Sequence, residues 1–454
     1  MKLAYGVKDR PPFGKLLLFA LQQLLAILAA TIAVPAIVGN GMSQSAALLG
    51  AGVGTIVYLL FTRFRSPVFL GSSFAFLGSM FAAFAGAISA NAGYAGLLIG
   101  ACFAGLVYVV IAVIVKFAGV NWINKLMPAV VIGPTVAIIG LSLSGNAVGD
   151  LQKGSFESTS PYVAIVCGLV TLAVTMICSV YGKKMLKMIP FIVGIVAGYA
   201  CAAIFTVIGN AADIAELKVI DFSAFANMQW YPDVTFLKAF DGFKEIDASY
   251  IGTIAVAYIP VAFVVFAEHI ADHKNISSII EKDLLEDPGL HRTLLGDGVG
   301  SIAGAFFGGC PNTTYGESIG CVAISGNASV STILCTAILA IISAFLAPFT
   351  TFLATIPSCV MGGVCIALYG FIAVSGLKMI QKVDLGDNSN LFVVSVILIA
   401  GVGGMTLVFG KVTITEVACA LILGILANVL LAKGRKDKEA VEVAKDNEAA
   451  ADKE

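Results

Sequence analysis

The chain has 454 residues, 59% of them hydrophobic and 12% charged, with a mean hydropathy of +0.96. Soluble domains carry about 25% charged residues, and Lys+Arg (27) so nearly cancel Asp+Glu (28) that no net field recruits a polyanion. These values exclude a soluble globular protein, a disordered chain and a nucleic-acid binder, and leave a polytopic helical membrane protein.

A membrane span needs about 20 apolar residues. In chain order the apolar stretches fall at 15–38, 45–62, 67–84, 93–115, 126–145, 160–181, 187–208, 250–271, 292–308, 311–325, 330–347, 359–376, 391–408 and 414–432, fourteen in all. The first lacks the small-residue cleavage pattern of a secretory signal and reads as a transmembrane helix. Residues 209–249 hold Asp213, Glu216, Asp221, Asp233, Asp241 and Glu245 and read as one long external loop. The Lys-, Glu-, Asp- and Ala-rich tail reads as a disordered or frayed end. Most of the ten cysteines lie in apolar stretches, so no disulfide framework is expected.

Sidedness supports the count. With the N-terminus inside, 22 of the 27 basic residues fall on the inner side and only Lys153, Lys218, Lys238, Lys244 and Lys411 on the outer, as the positive-inside rule requires. Both ends then lie in the cytoplasm. Fourteen divides into seven plus seven, the arrangement of an inverted repeat, in which paired interrupted segments mark a binding site. The third segment begins Ser66-Pro67-Val68-Phe69-Leu70-Gly71-Ser72-Ser73 and the tenth Cys310-Pro311-Asn312-Thr313-Thr314-Tyr315-Gly316-Glu317. Each is third in its half, and each mixes a short extended run with Gly or Pro. Irregular backbone at membrane depth survives only against protein or a water-filled cavity.

The polar groups in apolar surroundings are few. Glu268 and His269 lie near the end of the eighth span, with Asp272 and His273 one turn on. A carboxylate at the bilayer centre costs roughly 2.5–3.5 kcal/mol. Three readings compete: Glu268 caps the helix at the interface above two solvated histidines; His269 and His273 chelate a metal; or Glu268 serves a substrate and a proton. No third soft ligand accompanies the histidines, and the cost of burying Glu268 favours the third reading. No metal or cofactor is expected. Glu317 follows the break in the tenth span, near a helix N-terminus that favours anions and polar ligands. Asp297, at the start of the ninth span, is either a second buried acid or an interfacial one.

Ala267-Glu268-His269, Lys282-Asp283-Leu284-Leu285, Asp287-Pro288-Gly289-Leu290-His291-Arg292 and Pro311 to Glu317 resemble the bacterial uracil permeases of the nucleobase–ascorbate transporter family. Leu70 to Phe76, Val360 to Val364, Leu368-Tyr369-Gly370 and the opening Gly6 to Pro12 match as well. The resemblance runs from about residue 5 to 433. It implies an all-α polytopic protein with fourteen transmembrane segments in two inverted seven-segment repeats, and short antiparallel strands in the interrupted third and tenth. It further implies a cytoplasmic N-terminus (1–14), a core domain (15–116 and 250–347), a gate domain (117–208 and 348–432), the external loop and a cytoplasmic tail (433–454).

Function carried over in the same way is proton-coupled import of uracil by an elevator-type movement, in a homodimer of the cytoplasmic membrane surrounded by lipid. Glu268 and Glu317 would take the ring N–H groups. The backbone N–H groups of Phe74 and Gly316 would meet the carbonyl oxygens. Ala30, Tyr315 and Tyr369 would pack on the ring, and His273, with Glu268, would serve proton coupling. The sequence departs from the family at Ser318 (for Asn), Ser325 (for Thr), Gln23 (where His is frequent) and Cys359 (for Pro). Another nucleobase (xanthine, thymine or uric acid) is the alternative cargo. An anion carrier on the same fold would be expected to place a cation or bare helix ends at the site, and an intramembrane enzyme lacks a nucleophile–base pair.

Overall fold

The computed structural model describes residues 3–119, 128–183, 185–409 and 412–431. The tail from 433, and Lys2, Lys125, Lys184 and Lys411 of the sidedness count, lie outside them. The first half of the chain holds α1 (Phe13–Val38), α2 (Gln44–Phe61), strand β1 (Leu70–Ser72), a 3₁₀ turn (Phe74–Phe76) running into α3 (Leu77–Ala85), and α4 (Ala90–Ala118). It continues with α5 (Ala129–Ser142), α6 (Ser144–Asp150), α7 (Pro161–Tyr181), α8 (Met185–Met188) and α9 (Pro190–Ala212). After α10 (Thr235–Gly242) come α11 (Ala248–Ile280), α12 (Leu290–Gly308), β2 (Asn312–Thr314), α13 (Gly316–Ser325), α14 (Val330–Ala344), α15 (Ala347–Ala354), α16 (Ser358–Ile380) and α17 (Asn388–Val402). A hairpin, β3 (Leu407–Phe409) with β4 (Val412–Ile414), leads to α18 (Glu416–Leu431).

Eight described helical stretches are long and apolar enough to cross a membrane, α5 and α6 (Ala129–Asp150) together making one of them, and nine if α14 and α15, bent by 81°, also count as one. Of the other predicted segments, the ninth is the 19-residue α12, long enough but less apolar, and the rest are shorter pieces. The third and tenth each spend their first residues on a strand, and the thirteenth ends at Val402 before the hairpin that its last predicted residues enter. The predicted loop at 209–249 is corrected. Helix α9 runs on to Ala212, and α10 packs on α4 and α12, its Phe236 ring stacked on Phe306 at 4.6 Å and 7°. Polar composition hid this short amphipathic element.

Small residues set the closest packing. A Cβ at Gly304 would fall 2.2 Å from Asn312 Nδ2, and one at Gly50 would fall 2.3 Å from the Gly304 carbonyl oxygen. Helices α2 and α12 therefore touch backbone to backbone, as small residues allow in membranes. Asn312 Nδ2 donates across the contact to the Gly50 carbonyl at 3.1 Å, which anchors β2. Gly304→Ala is expected to destabilise the protein by about 1–3 kcal/mol through overpacking, seen as a lower melting temperature in detergent.

Between the spans, Asp287 receives Arg65 Nη1 at 2.5 Å and Lys282 Nζ at 2.6 Å. This clamp ties the α2–β1 connection to the α11–α12 connection. The Lys282 and Arg65 hydrogen bonds hold the Asp287 carboxyl below its usual range. A depressed folded-state value means that the stabilisation is present above the ordinary carboxylate range and is lost as pH falls through the depressed value. All three side chains are partly exposed, so the effect is modest. Asp287→Asn is expected to lower the melting temperature at neutral pH, and the difference from the native protein should close as the solution is acidified.

Candidate functional site

Two short strands bring the interrupted segments together. Strand β1 pairs antiparallel with β2, with Leu70 opposite Thr314 and Ser72 opposite Asn312. Ser73 N–H to the Pro311 carbonyl (2.9 Å) and Tyr315 N–H to the Phe69 carbonyl (3.1 Å) extend the ladder at both ends. The strands are buried, so each backbone group must find its partner within the protein. Thr55 closes the outer edge of β1, its Oγ1 accepting from Leu70 N at 2.9 Å and donating to the Leu70 carbonyl at 3.1 Å. Beyond the ladder each chain turns into a helix, at Phe74 and at Gly316. Two helix N-termini, with their free N–H groups and positive dipole ends, thus start beside one another.

They open into a cavity of about 370 Å³. One wall is made of Phe74, Ala75, Glu268, Ala271, Asp272, Thr313 to Glu317 and Ala26; the other of Val136, Ile139, Phe191, Leu368, Phe371 and Ile372. Ser179, Lys187, Ser375 and Met379 extend the lining toward one end. Glu268 and Asp272 are successive turns of one face of α11, as their spacing of four requires. Asp272 Oδ2 accepts from Thr314 Oγ1 at 2.7 Å, which ties α11 to the end of β2. Tyr315 is held by its hydroxyl, which donates to the Ser72 carbonyl at 2.8 Å. Gly71 leaves room for that ring, because a Cβ there would lie 2.3 Å from it.

Five of the predicted site residues line the cavity: Glu268, Glu317, Phe74, Gly316 and Tyr315. Three do not. Ala30 is buried one turn from Ala26, which takes its place in the lining. Tyr369 is buried behind Phe74, edge-on at 5.8 Å and 82°. His273 points away from the cavity: its Nδ1 faces the His269 carbonyl at 2.8 Å, and its Nε2 meets the Tyr58 hydroxyl at 2.8 Å. One residue along a helix is about 100° of rotation, and Asp272, not His273, shares the cavity with Glu268. That face pairing was readable from the spacing. Thr314 and Lys187 carried no such signal.

The remaining polar groups lie behind this wall. His269 and Asp297 are both 0% exposed, so the solvated reading of the histidines and the interfacial reading of Asp297 both fall. His269 Nδ1 lies 2.7 Å from Asp297 Oδ2, and Nε2 lies 3.0 Å from Thr293 Oγ1. The Ser318 departure also finds a use. Gln23 Nε2 donates to Ser318 Oγ and, at 3.1 Å, to the Ser318 carbonyl, while Ser318 Oγ accepts from Phe69 N at 3.2 Å. The two unusual residues together pin α1, β1 and α13. Among the described residues no three His, Cys, Asp or Glu side chains are grouped to hold a metal ion.

Residues 14–409 match the sequence family described as the Permease family. The chain is 40% identical over 433 residues to the uracil permease of Bacillus caldolyticus, covering 95% of both chains. It is 34% identical over 426 residues to the uracil permease of Escherichia coli K12, covering 93% of this chain and 92% of that one. Among solved structures it is similar to the transmembrane domain of the cyanobacterial bicarbonate transporter BicA, with a TM-score of 0.62 at 15% identity, covering 93% of this chain and 100% of that one. It is also similar to the murine anion transporter Slc26a9 in its inward-facing state, with a TM-score of 0.67 at 11% identity, covering 94% of this chain and 69% of that one. At such identities the two structures establish a shared fold alone. The extent of the family match and the identity to its curated relatives establish that this chain belongs to the Permease family.

Proposed function

We propose that the chain imports uracil across the cytoplasmic membrane together with protons. The observation that carries this reading is the meeting of Glu268 and Glu317 with two helix N-termini in one cavity. Uracil is a flat neutral ring that alternates N–H donors with C=O acceptors. Carboxylates match the donors and helix-end N–H groups match the acceptors, while Phe74 and Tyr315 offer ring faces. Sites of this kind reject an analogue that leaves a buried group unpaired. Curated relatives named as uracil permeases over almost the full chain support the same cargo.

The fourteen segments, counted with the short pieces, form two inverted repeats in this reading, and the wall of α1, β1, β2, α11 and α13 moves against the wall of α5, α9 and α16 as an elevator. The cavity lining reaches Lys187 and Met379, on the side that the basic residues place in the cytoplasm in this reading. Asp272 stands beside Glu268 in the cavity as a further carboxylate for the base, where His273 does not reach. An anion cargo is disfavoured: three carboxylates line the cavity against one lysine. Competition tests the cargo. Unlabelled uracil is expected to suppress labelled-uracil uptake far more strongly than xanthine, thymine or uric acid; equal or stronger suppression by one of these would reassign the substrate.

A further inference from the structure

The hydrogen bonds around the buried pair behind the cavity wall point to a proton count. Thr293 Oγ1 donates to the Leu290 carbonyl at 3.1 Å, which leaves its oxygen to accept from His269 Nε2–H. In a neutral ring with Nε2–H, Nδ1 carries no hydrogen. The 2.7 Å contact from Nδ1 to Asp297 Oδ2 then requires one proton between two groups that otherwise have none. That proton sits on the carboxyl beside a neutral ring, or on Nδ1 beside a carboxylate. With it the pair is net neutral, and without it the pair carries one negative charge.

The surroundings favour holding it. Asp297 Oδ1, Ser301 Oγ one turn on and the Tyr108 hydroxyl make no hydrogen bond within the protein, so a bare carboxylate there is poorly compensated. The ionisable groups near enough to feel a charge on Asp297 are Tyr58 from α2, Tyr108 from α4, and Glu268 and Asp272 from α11, with Glu317 of α13 acting through Glu268 and Asp272, while His273 stacks on the His269 ring at 4.0 Å. None is a Lys or Arg. Glu268 is the neighbour of His269 in sequence. A charge on Asp297 therefore raises the cost of a charge on Glu268 and Asp272, and a proton on the pair relieves it.

We propose that Asp297 and His269 form a one-proton site, separate from the substrate carboxylates and coupled to them through the field, which carries the proton that accompanies the base. The step balances simply: the pair gains one proton from water on one side and returns it on the other, with no bond made or broken elsewhere.

This rests on the uracil–proton reading, and the test separates the two. Native protein and Asp297→Asn are compared in proteoliposomes for counterflow of labelled uracil and for accumulation driven by a proton gradient. The variant is expected to keep counterflow and to lose accumulation. His269→Gln, which keeps a donor toward Thr293, is expected to do the same and serves if Asp297→Asn does not fold. Accumulation equal to native in Asp297→Asn would overturn the proposal. So would loss of counterflow in a folded variant, because Asp297 would then position the substrate site, and so would accumulation driven by sodium alone. Independently of any base, titration of the purified protein is expected to show one proton fewer bound by Asp297→Asn. An equal count, expected if the Thr293 hydroxyl points at Nε2, would overturn the proton site while leaving the uracil reading intact.

Discussion

Glu268→Gln is expected to cut the initial rate of labelled-uracil uptake by about 10²- to 10³-fold without changing the melting temperature by more than a few degrees. The side chain is half-buried on the cavity face of α11, next to Ala271 and Asp272, and its carboxylate offers only acceptors. Gln has nearly the same shape, so packing is kept. Its amide nitrogen, however, turns a donor toward a ring N–H, and one buried contact becomes donor against donor. The negative charge that strengthens such a bond is lost as well. Native uptake by this variant would remove Glu268 from the site.

Glu317→Gln is expected to raise the KM for uracil by about 10- to 100-fold, or about 1.4–2.8 kcal/mol, with a smaller change in maximal rate. Glu317 stands in the first turn of α13, where the helix dipole favours a negative charge. Gln keeps one acceptor there and adds one donor, so part of the interaction survives. The added donor also suits a cargo with one more acceptor. Xanthine is therefore expected to compete better against the variant than against the native protein, as measured by inhibition of labelled-uracil uptake. An unchanged KM together with an unchanged competition profile would place Glu317 outside the binding surface.

The sequence located the site better than it oriented it. Pro67 with Gly71, and Pro311 with Gly316, marked two interrupted segments in matching positions, and the strands β1 and β2 join there. The spacing of Glu268 and Asp272 also gave their shared face. Rotation about the helix axis is where resemblance misled: His273 is one residue from Asp272 yet bonds Tyr58 and the His269 carbonyl, and Ala26 rather than Ala30 reaches the cavity. Hydropathy could not separate full crossings from short pieces, because α3 with its 3₁₀ turn, α17 and α18 are apolar but too short to span alone. Nor could it see α10, whose apolar residues Phe236 and Phe240 are diluted by Lys238 and Asp241. Asp297 stayed undecided because its partner, His269, lies 28 positions earlier in the chain and on another helix.

The most direct test is accumulation of labelled uracil in proteoliposomes containing the purified protein. A neutral base moving with one proton carries one charge, so a 100 mV potential, negative on the side of accumulation, supplies about 2.3 kcal/mol, or about fifty-fold accumulation before any pH difference is added. Accumulation of that order, collapsing to equal concentrations when a protonophore dissipates the gradient, is the predicted result. Uptake that stops at equal concentrations with the gradient intact, or that is absent for uracil, would contradict proton-coupled uracil import.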